Sequence, residues 1–173
     1  GTCRKSTQVP LSIPRRSCGR VVVHENVFIG PYAVIRADEV DEDGYKEPIT
    51  IGADSNIQDG VVIHPVGRRG NDGERTSIAH RAIVHGPCTV GDDVFIGFNS
   101  VLFNCTVAQG CVVRHNAVLD GCHLPADFYV PSTERIGSRT DLATIPKVTV
   151  AAYEFSEDVA RTNNALVQGY KRI

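Results

Sequence analysis

Aliphatic residues recur at every sixth position over most of this 173-residue chain, and this period constrains the fold more than any other feature. The series are Val23, Ile29 and Ile35; Ile51, Ile57 and Ile63; and Ile78, Val84, Val90, Ile96 and Leu102, continued after one-residue slips by Val107, Val113 and Leu119 and by Leu124 and Val130. The strands of an ordinary sandwich would alternate with period two, whereas period six fits a triangular coil of three hexads per turn with the aliphatic residue inward. The repeat therefore predicts an all-β fold of stacked parallel coils.

Two longer steps interrupt this period. They follow Ile35 and Ile63, are 16 and 15 residues long, and contain the polar stretch 41–47 and the Gly/Arg-rich stretch 67–76. Each step is counted as two hexads with the surplus residues in a loop, because Gly and polar runs between apolar positions are typical of loops. The pattern resembles that of the hexapeptide-repeat proteins, which implies a left-handed parallel β-helix.

The chain length allows one domain with a sizeable core. We expect an N-terminal extension (1–20), the β-helix (21–135) and a C-terminal segment (136–173). In the last segment, spacings of four, three and four residues predict an α-helix from Ser156 to Tyr170, with Ser156 as its N-cap, packed along the outside of the coil. The spacings are those of Val159, Asn163, Leu166 and Tyr170.

Composition narrows the classes of partner. A formal net charge of −2 and an aromatic share of 6% provide neither a basic patch nor a stacking surface for nucleic acid. No run approaches the ~18 apolar residues of a membrane helix, so no membrane partner is expected. The cytoplasm is the default compartment, with a trimmed leader left open because the chain starts at Gly1. The six cysteines include no close CxxC pair and are expected to be reduced, apolar residues.

The phases of three histidines predict a metal site. His64 and His85 each follow an inward residue directly and are three hexads apart, so they are expected to stack on one outer face roughly 5 Å apart. His80 belongs to the preceding hexad and therefore to another face. Three copies around a threefold axis would bring these faces together, which predicts a metal ion shared between adjacent subunits of a homotrimer. Three neutral nitrogens would leave the fourth position open for water, as in catalytic zinc sites.

Polar residues are expected beside the third histidine. If the 16-residue step is counted as two hexads, Ile35, Ile57 and Ile78 stack in one column. Just after this column come Arg36, Gln58 and His80, with Asp38 and Glu39 close by. Polar groups on such a face are normally satisfied at an interface or used in chemistry. For the pair of Arg36 and Asp38, a purely structural salt bridge remains open.

Three segments resemble signature segments of the γ-class carbonic anhydrases: Ile-Arg-Ala-Asp-Glu (35–39), Asn-Ile-Gln-Asp-Gly-Val-Val-Ile-His (56–64) and Ile-Ala-His-Arg-Ala-Ile-Val-His-Gly-Pro (78–87). The similarity extends from about Val21 to the end of the chain. It implies a zinc-dependent lyase that reversibly hydrates carbon dioxide to bicarbonate by a metal-bound hydroxide at the subunit interface. Fe²⁺ or Co²⁺ would suit the same ligands, since ligand type alone does not select the metal.

The resemblance also implies roles for individual residues. The implied metal ligands are His64, His80 and His85. The other implied roles are a hydrogen bond to the metal-bound water for Gln58, proton transfer or bicarbonate orientation for Glu39, lining of the pocket for Asn56, a place near its mouth for Asn163, and an ion pair between subunits for Arg36 and Asp38.

One segment departs from the family pattern. Active members carry an acidic loop with a proton-shuttling Glu after the first metal His. Here the loop after His64 is short, and its first charged residues are the basic Arg68 and Arg69. Asp72 and Glu74 are the nearby substitutes, and slow hydration is expected. Two alternatives stay open: a metal-binding trimer with little or no turnover and a scaffold or assembly role, and a hexapeptide-repeat acyltransferase.

Overall fold

The computed structural model describes residues 18–39, 44, 48–64 and 70–170. Its strands are β1 (Cys18–Gly19), β2 (Val21–Val23), β3 (Phe28–Ile29), β4 (Val34–Ala37), β5 (Ile49–Ile51), β6 (Asn56–Ile57), β7 (Val62–His64), β8 (Gly70–Asp72), β9 (Ser77–Ile78), β10 (Ile83–His85), β11 (Cys88–Val90), β12 (Phe95–Ile96), β13 (Val101–Phe103), β14 (Thr106–Val107), β15 (Val112–Val113), β16 (Val118–Asp120), β17 (His123–Leu124), β18 (Tyr129–Val130) and β19 (Arg135–Gly137). A 3₁₀ turn (Leu142–Thr144) and helix α1 (Val150–Tyr170) follow.

Each strand pairs in parallel with the strand three places further along the chain, which produces three flat walls. Wall A is the sheet β1-β4-β7-β10-β13-β16-β19, wall B is β2-β5-β8-β11-β14-β17, and wall C is β3-β6-β9-β12-β15-β18. The predicted left-handed parallel β-helix is confirmed. The division of the chain at residues 21 and 135 stays a prediction, while the described strands extend from Cys18 to Gly137.

The aliphatic residue of each hexad fills the interior of the coil. Ile57 pairs with Ile78 on wall C, Ile63 pairs with Val84 on wall A, and all four side chains are buried. Burial of one such side chain is worth about 1.5–3 kcal/mol, so a column repeated on three walls provides the main stabilisation. The four cysteines whose side chains are described support the apolar interpretation, because all of them are buried in this interior: Cys88, Cys105, Cys111 and Cys122.

The corners turn through residues with a positive φ. Asn26, Asp54 and Asp93 have φ values of 54°, 56° and 57°, in the left-handed region that Asn and Asp tolerate better than other side chains. The coils also approach one another closely at some corners. A Cβ atom on Gly73 would lie 2.4 Å from the carbonyl carbon of Gly91, so only glycine fits there.

The strand register corrects the hexad count before Ile51. Ile35 pairs with Ile63 on wall A, whereas it was expected in the column of Ile57 and Ile78. The 16-residue step therefore contains one hexad and ten additional residues. A hydrophobic period cannot distinguish a long corner loop from an additional side of the triangle, because residues that leave the coil have no register.

The two predicted loops have different outcomes. Stretch 41–47 lies outside the described residues, apart from Gly44. In stretch 67–76, residues 67–69 also lie outside them, but Gly70–Asp72 forms β8 and pairs with both β5 and β11. The prediction of a loop over Gly70–Asp72 is therefore wrong, since this segment is a side of the coil.

Helix α1 packs against wall C, along the outside of the coil as predicted. It begins at Val150, six residues before the predicted start, and Ser156 is buried inside it. The N-terminal hydrogen bond is made instead by Thr149, whose Oγ1 accepts from the backbone N–H of Ala152 at 3.3 Å. The earlier start brings Phe155 against Phe95 of wall C. Within the described part of the chain, no helix has the length and apolar character needed to cross a membrane.

Candidate metal centre

His64 and His85 end two adjacent strands of wall A. Strands β7 and β10 pair with these two residues directly opposite each other, so the predicted stacking on one face is confirmed. The two rings meet edge to face with their centroids 5.1 Å apart. Two imidazoles at this separation are able to bind a single metal ion.

Two carboxylates lie beside the first of these histidines. Strand β4 ends at Ala37, so the next two residues, Asp38 and Glu39, follow wall A at the level of the coil below His64. Asp38 Oδ1 and Glu39 Oε1 lie 3.2 Å and 3.4 Å from His64 Nε2. The site therefore combines imidazole nitrogens with carboxylate oxygens on a single wall.

Arg36 and Asp38 contact each other within one chain. The guanidinium donates to Asp38 Oδ2 from Nε at 3.2 Å and from Nη2 at 2.8 Å. These hydrogen bonds hold the pKa of the Asp38 carboxyl below its usual range, so it is ionised at neutral pH. Arg36 lies on wall A with His64, which corrects the expectation that it shares a column with His80. A further role of this pair between subunits stays a prediction.

One cluster in the described residues has the composition of a metal site. The ligand atoms of Glu39, His64 and His85 all lie within 4.8 Å of one another. His85 Nδ1 is buried and has no hydrogen-bond partner among the described residues, which is unfavourable unless another group binds there. Two imidazoles and a carboxylate are common ligands of Zn²⁺ and Fe²⁺, so these residues fit a divalent transition metal.

His80 lies apart from this cluster. It follows β9 of wall C, at the next corner, with its side chain 48% exposed. Its Nδ1 is 3.9 Å from Asp59 Oδ2, and its ring centroid is 5.3 Å from that of Phe98. The prediction that His80 belongs to a different face from His64 and His85 is confirmed. Its role as a metal ligand stays a prediction.

One relative decides the family. The carbonic anhydrase of Methanosarcina thermophila is 33% identical over 175 residues, which cover 88% of this chain and 68% of that protein. The chain belongs to the γ-class carbonic anhydrase family. No family model matches the sequence.

Other relatives of this γ-class chain have different names. The carboxysome assembly protein CcmM of Nostoc sp. is 39% identical over 88% of the chain, but the chain spans only 28% of that protein. Among solved structures, a hexapeptide transferase family protein from Anaplasma phagocytophilum is similar, with a TM-score of 0.68 and 23% identity. The match covers 90% of this chain and 84% of that protein's chain. At that identity the structural likeness supports the fold alone.

Asn56 and Gln58 form a second polar group in the γ-class chain, on wall C with His80. Gln58 Nε2 donates to Asn56 Oδ1 at 2.9 Å, and Asn56 Nδ2 donates to Ser77 Oγ at 2.7 Å. All three side chains are buried. Sequence reasoning missed Ser77, although the predicted column of Ile57 and Ile78 already places Ser77 directly opposite Asn56 in the next coil. The roles of Asn56 and Gln58 toward a substrate stay predictions.

Ser77→Ala is expected to destabilise the fold by about 1–3 kcal/mol, because the buried Asn56 amide would lose its acceptor. Urea unfolding of this variant tests the expectation, with exposed Ser132→Ala as the matched control. Unchanged stability of the Ser77 variant would mean that the hydroxyl does not hold the Asn56 side chain.

The remaining predicted site residue, Asn163, belongs to α1. Its Nδ2 donates to the carbonyl oxygen of Val159 in the preceding turn at 2.9 Å, and the residue is half-buried. Its neighbour Asn164 donates to the carbonyl oxygen of Asp54 at 2.6 Å and so ties the helix to the coil. The location of Asn163 near a pocket mouth stays a prediction.

Proposed function

We propose that the protein catalyses the reversible hydration of carbon dioxide to bicarbonate at a zinc ion shared between adjacent subunits of a homotrimer. The observation that carries the proposal is the histidine arrangement: His64 and His85 are paired on wall A, and His80 is exposed at a corner of wall C. A 33% identical relative of comparable extent is a carbonic anhydrase. The cytoplasm, expected from the sequence, is kept as the proposed compartment.

Exposed apolar side chains support the proposed trimer. Ile83 and Phe103 lie on wall A beside His85, and Phe98 lies beside His80; their exposed fractions are 37%, 47% and 40%. Apolar side chains grouped on a surface are typical of interfaces. Because they flank both kinds of proposed ligand, association through them would bring the two walls together at the histidines.

A bound zinc ion supplies the Lewis acidity that allows water to act as a nucleophile near neutral pH. The protein must then remove one proton for each carbon dioxide converted to bicarbonate. In the proposed site, Glu39 accepts this proton because its carboxylate lies 3.4 Å from His64 Nε2 and is 41% exposed, which connects it to solvent. Gln58, held by Asn56, orients the reacting oxygen by a hydrogen bond.

Proton transfer to solvent is the proposed slow step. The loop that carries a shuttling Glu in active family members here contains Arg68 and Arg69, which lie outside the described residues. The substitute Glu74 has its carboxylate 3.1 Å from Arg75 Nη1 and so is already paired with a cation. To accept a proton, Glu74 would have to give up this ion pair.

Stopped-flow hydration of carbon dioxide by the zinc-loaded full chain tests the proposal. We expect catalysis above the uncatalysed rate, increased by added imidazole, because a small buffer replaces the missing proton shuttle. The metal-free protein in the same buffer is the control. A zinc-loaded protein that gives only the uncatalysed rate, even with imidazole, would refute the enzymatic function.

An assembly role is the second candidate, and one specific observation favours it. The 39% identical Nostoc relative is named a carboxysome assembly protein, and the chain matches about a quarter of its length. Under this alternative the histidines bind metal and the trimer forms, but hydration is absent. The imidazole arm of the hydration assay separates the two candidates, since buffer rescues a slow enzyme and leaves a non-catalytic scaffold unchanged.

A further inference from the structure

We propose that one chain by itself holds a divalent transition metal ion through Glu39, His64 and His85, and that His80 of the partner subunit displaces Glu39 when subunits associate. This inference rests on the proposed shared site and deepens it by specifying how that site is loaded. The resulting sequence of events is metal capture by one subunit, then association and ligand exchange.

The single chain already presents a three-ligand set. The ligand atoms of Glu39, His64 and His85 lie within 4.8 Å of one another without any contribution from another subunit. Three protein ligands of this kind, two imidazoles and a carboxylate, are sufficient for tight binding of Zn²⁺ or Fe²⁺. The buried His85 Nδ1, which has no partner among the described residues, indicates that this wall is arranged for a further binding partner.

Of the two carboxylates beside His64, Glu39 is the better exchangeable ligand. Asp38 already accepts two hydrogen bonds from Arg36, so metal binding would compete with them. The Glu39 side chain is 41% exposed, against 27% for Asp38. Because Glu39 has solvent access, it can leave the metal without becoming a buried, unpaired charge.

The exchange has a chemical consequence. A carboxylate ligand reduces the net charge of a divalent site from +2 to +1, whereas a neutral imidazole leaves it at +2. Replacement of Glu39 by His80 therefore strengthens the Lewis acidity of the site. It also releases a carboxylate beside the metal, where it is able to accept a proton. Association thus converts a metal-loading site into one suited to catalysis.

The test is a set of Co²⁺ affinities, measured by visible absorption and chelator competition, for the wild type, Glu39→Gln, His80→Ala and the double variant. His80 and Glu39 are partly exposed, so these variants are expected to fold. Glu134→Gln, an exposed carboxylate far along the coil, is the matched control. Each protein is also titrated after tenfold dilution, with its oligomeric state measured by sedimentation.

We expect Glu39→Gln to bind Co²⁺ within about threefold of the wild type, since three histidines remain. His80→Ala should bind at least about tenfold more weakly but with an affinity independent of dilution, because its site lies within one chain. The double variant should be weaker than His80→Ala by at least about another tenfold, the loss expected when a group that supports a metal is removed.

Equal affinities of His80→Ala and the double variant would overturn the proposal, as would a dilution-dependent affinity of His80→Ala. A wild type that binds no Co²⁺ would overturn it together with the shared site. A wild type that binds metal but does not hydrate carbon dioxide would refute the proposed function alone, because the four affinities decide the ligand exchange independently.

Discussion

His64→Ala is expected to abolish tight metal binding and to reduce carbon dioxide hydration to the uncatalysed rate. His64 belongs both to the three-histidine set proposed for the trimer and to the cluster with Glu39 and His85. Asp38 Oδ1 and Glu39 Oε1 both lie within 3.4 Å of its Nε2, so truncation also removes the group that these two carboxylates share. Affinity for Zn²⁺ should fall at least about a hundredfold.

Elemental analysis after dialysis, followed by the stopped-flow assay on the same sample, measures both effects of His64→Ala. His123→Ala is the matched control, because His123 is an exposed histidine of wall B outside the cluster. One retained zinc ion per chain in the His64 variant would exclude His64 from the metal site. A loss of metal in the His123 variant would show that the site lies elsewhere.

Phe95→Ala should lower the free energy of unfolding by about 3–5 kcal/mol, a large share of the 5–15 kcal/mol typical of a domain. The Phe95 ring is fully buried on wall C and meets Phe155 of α1 edge to face, with centroids 5.3 Å apart. The Arg114 guanidinium lies over the Phe155 ring, 4.5 Å from its centroid. Truncation would therefore leave a cavity and weaken the contact that holds the helix to the coil.

Urea unfolding of the metal-free protein, followed by circular dichroism, measures this loss. Tyr32→Ala is the control, since its side chain is 79% exposed and surface substitutions usually change stability by less than about 0.5 kcal/mol. A Phe95 variant as stable as the control would mean that the contact between Phe95 and Phe155 does not stabilise the protein.

Much of the coil was predictable because its physical cause is local and periodic. An inward residue such as Ile57 or Ile63 must repeat every six positions if three sides of the triangle are to be filled. The same count correctly placed His64 and His85 opposite each other, because they follow equivalent residues one coil apart. Within an uninterrupted repeat, position in the sequence is equivalent to position in space.

The wrong predictions concern the interruptions of the repeat and the start of the C-terminal helix. Arg36 was assigned to the wrong column because ten residues between Ile35 and Ile51 leave the repeat, and a hydrophobic period does not count such residues. The start of α1 was placed at Ser156 because Ser before Glu157 and Asp158 has the pattern of an N-cap. Packing of Phe155 on wall C favours the earlier start, and tertiary contacts of this kind outweigh a cap.

The sequence by itself determined the fold class, the stacking of two histidines and the location of the third on another wall, since all of these follow from the period of six. Only the tertiary structure brought Glu39 and Asp38 to His64 and joined Ser77 to Asn56. The contact at His64 depends on the irregular length of the segment between Ile35 and Ile51, and the contact at Asn56 depends on side-chain rotamers, which the period of six does not determine. Stacking distances across coils, rather than spacing along the chain, decide which polar groups meet.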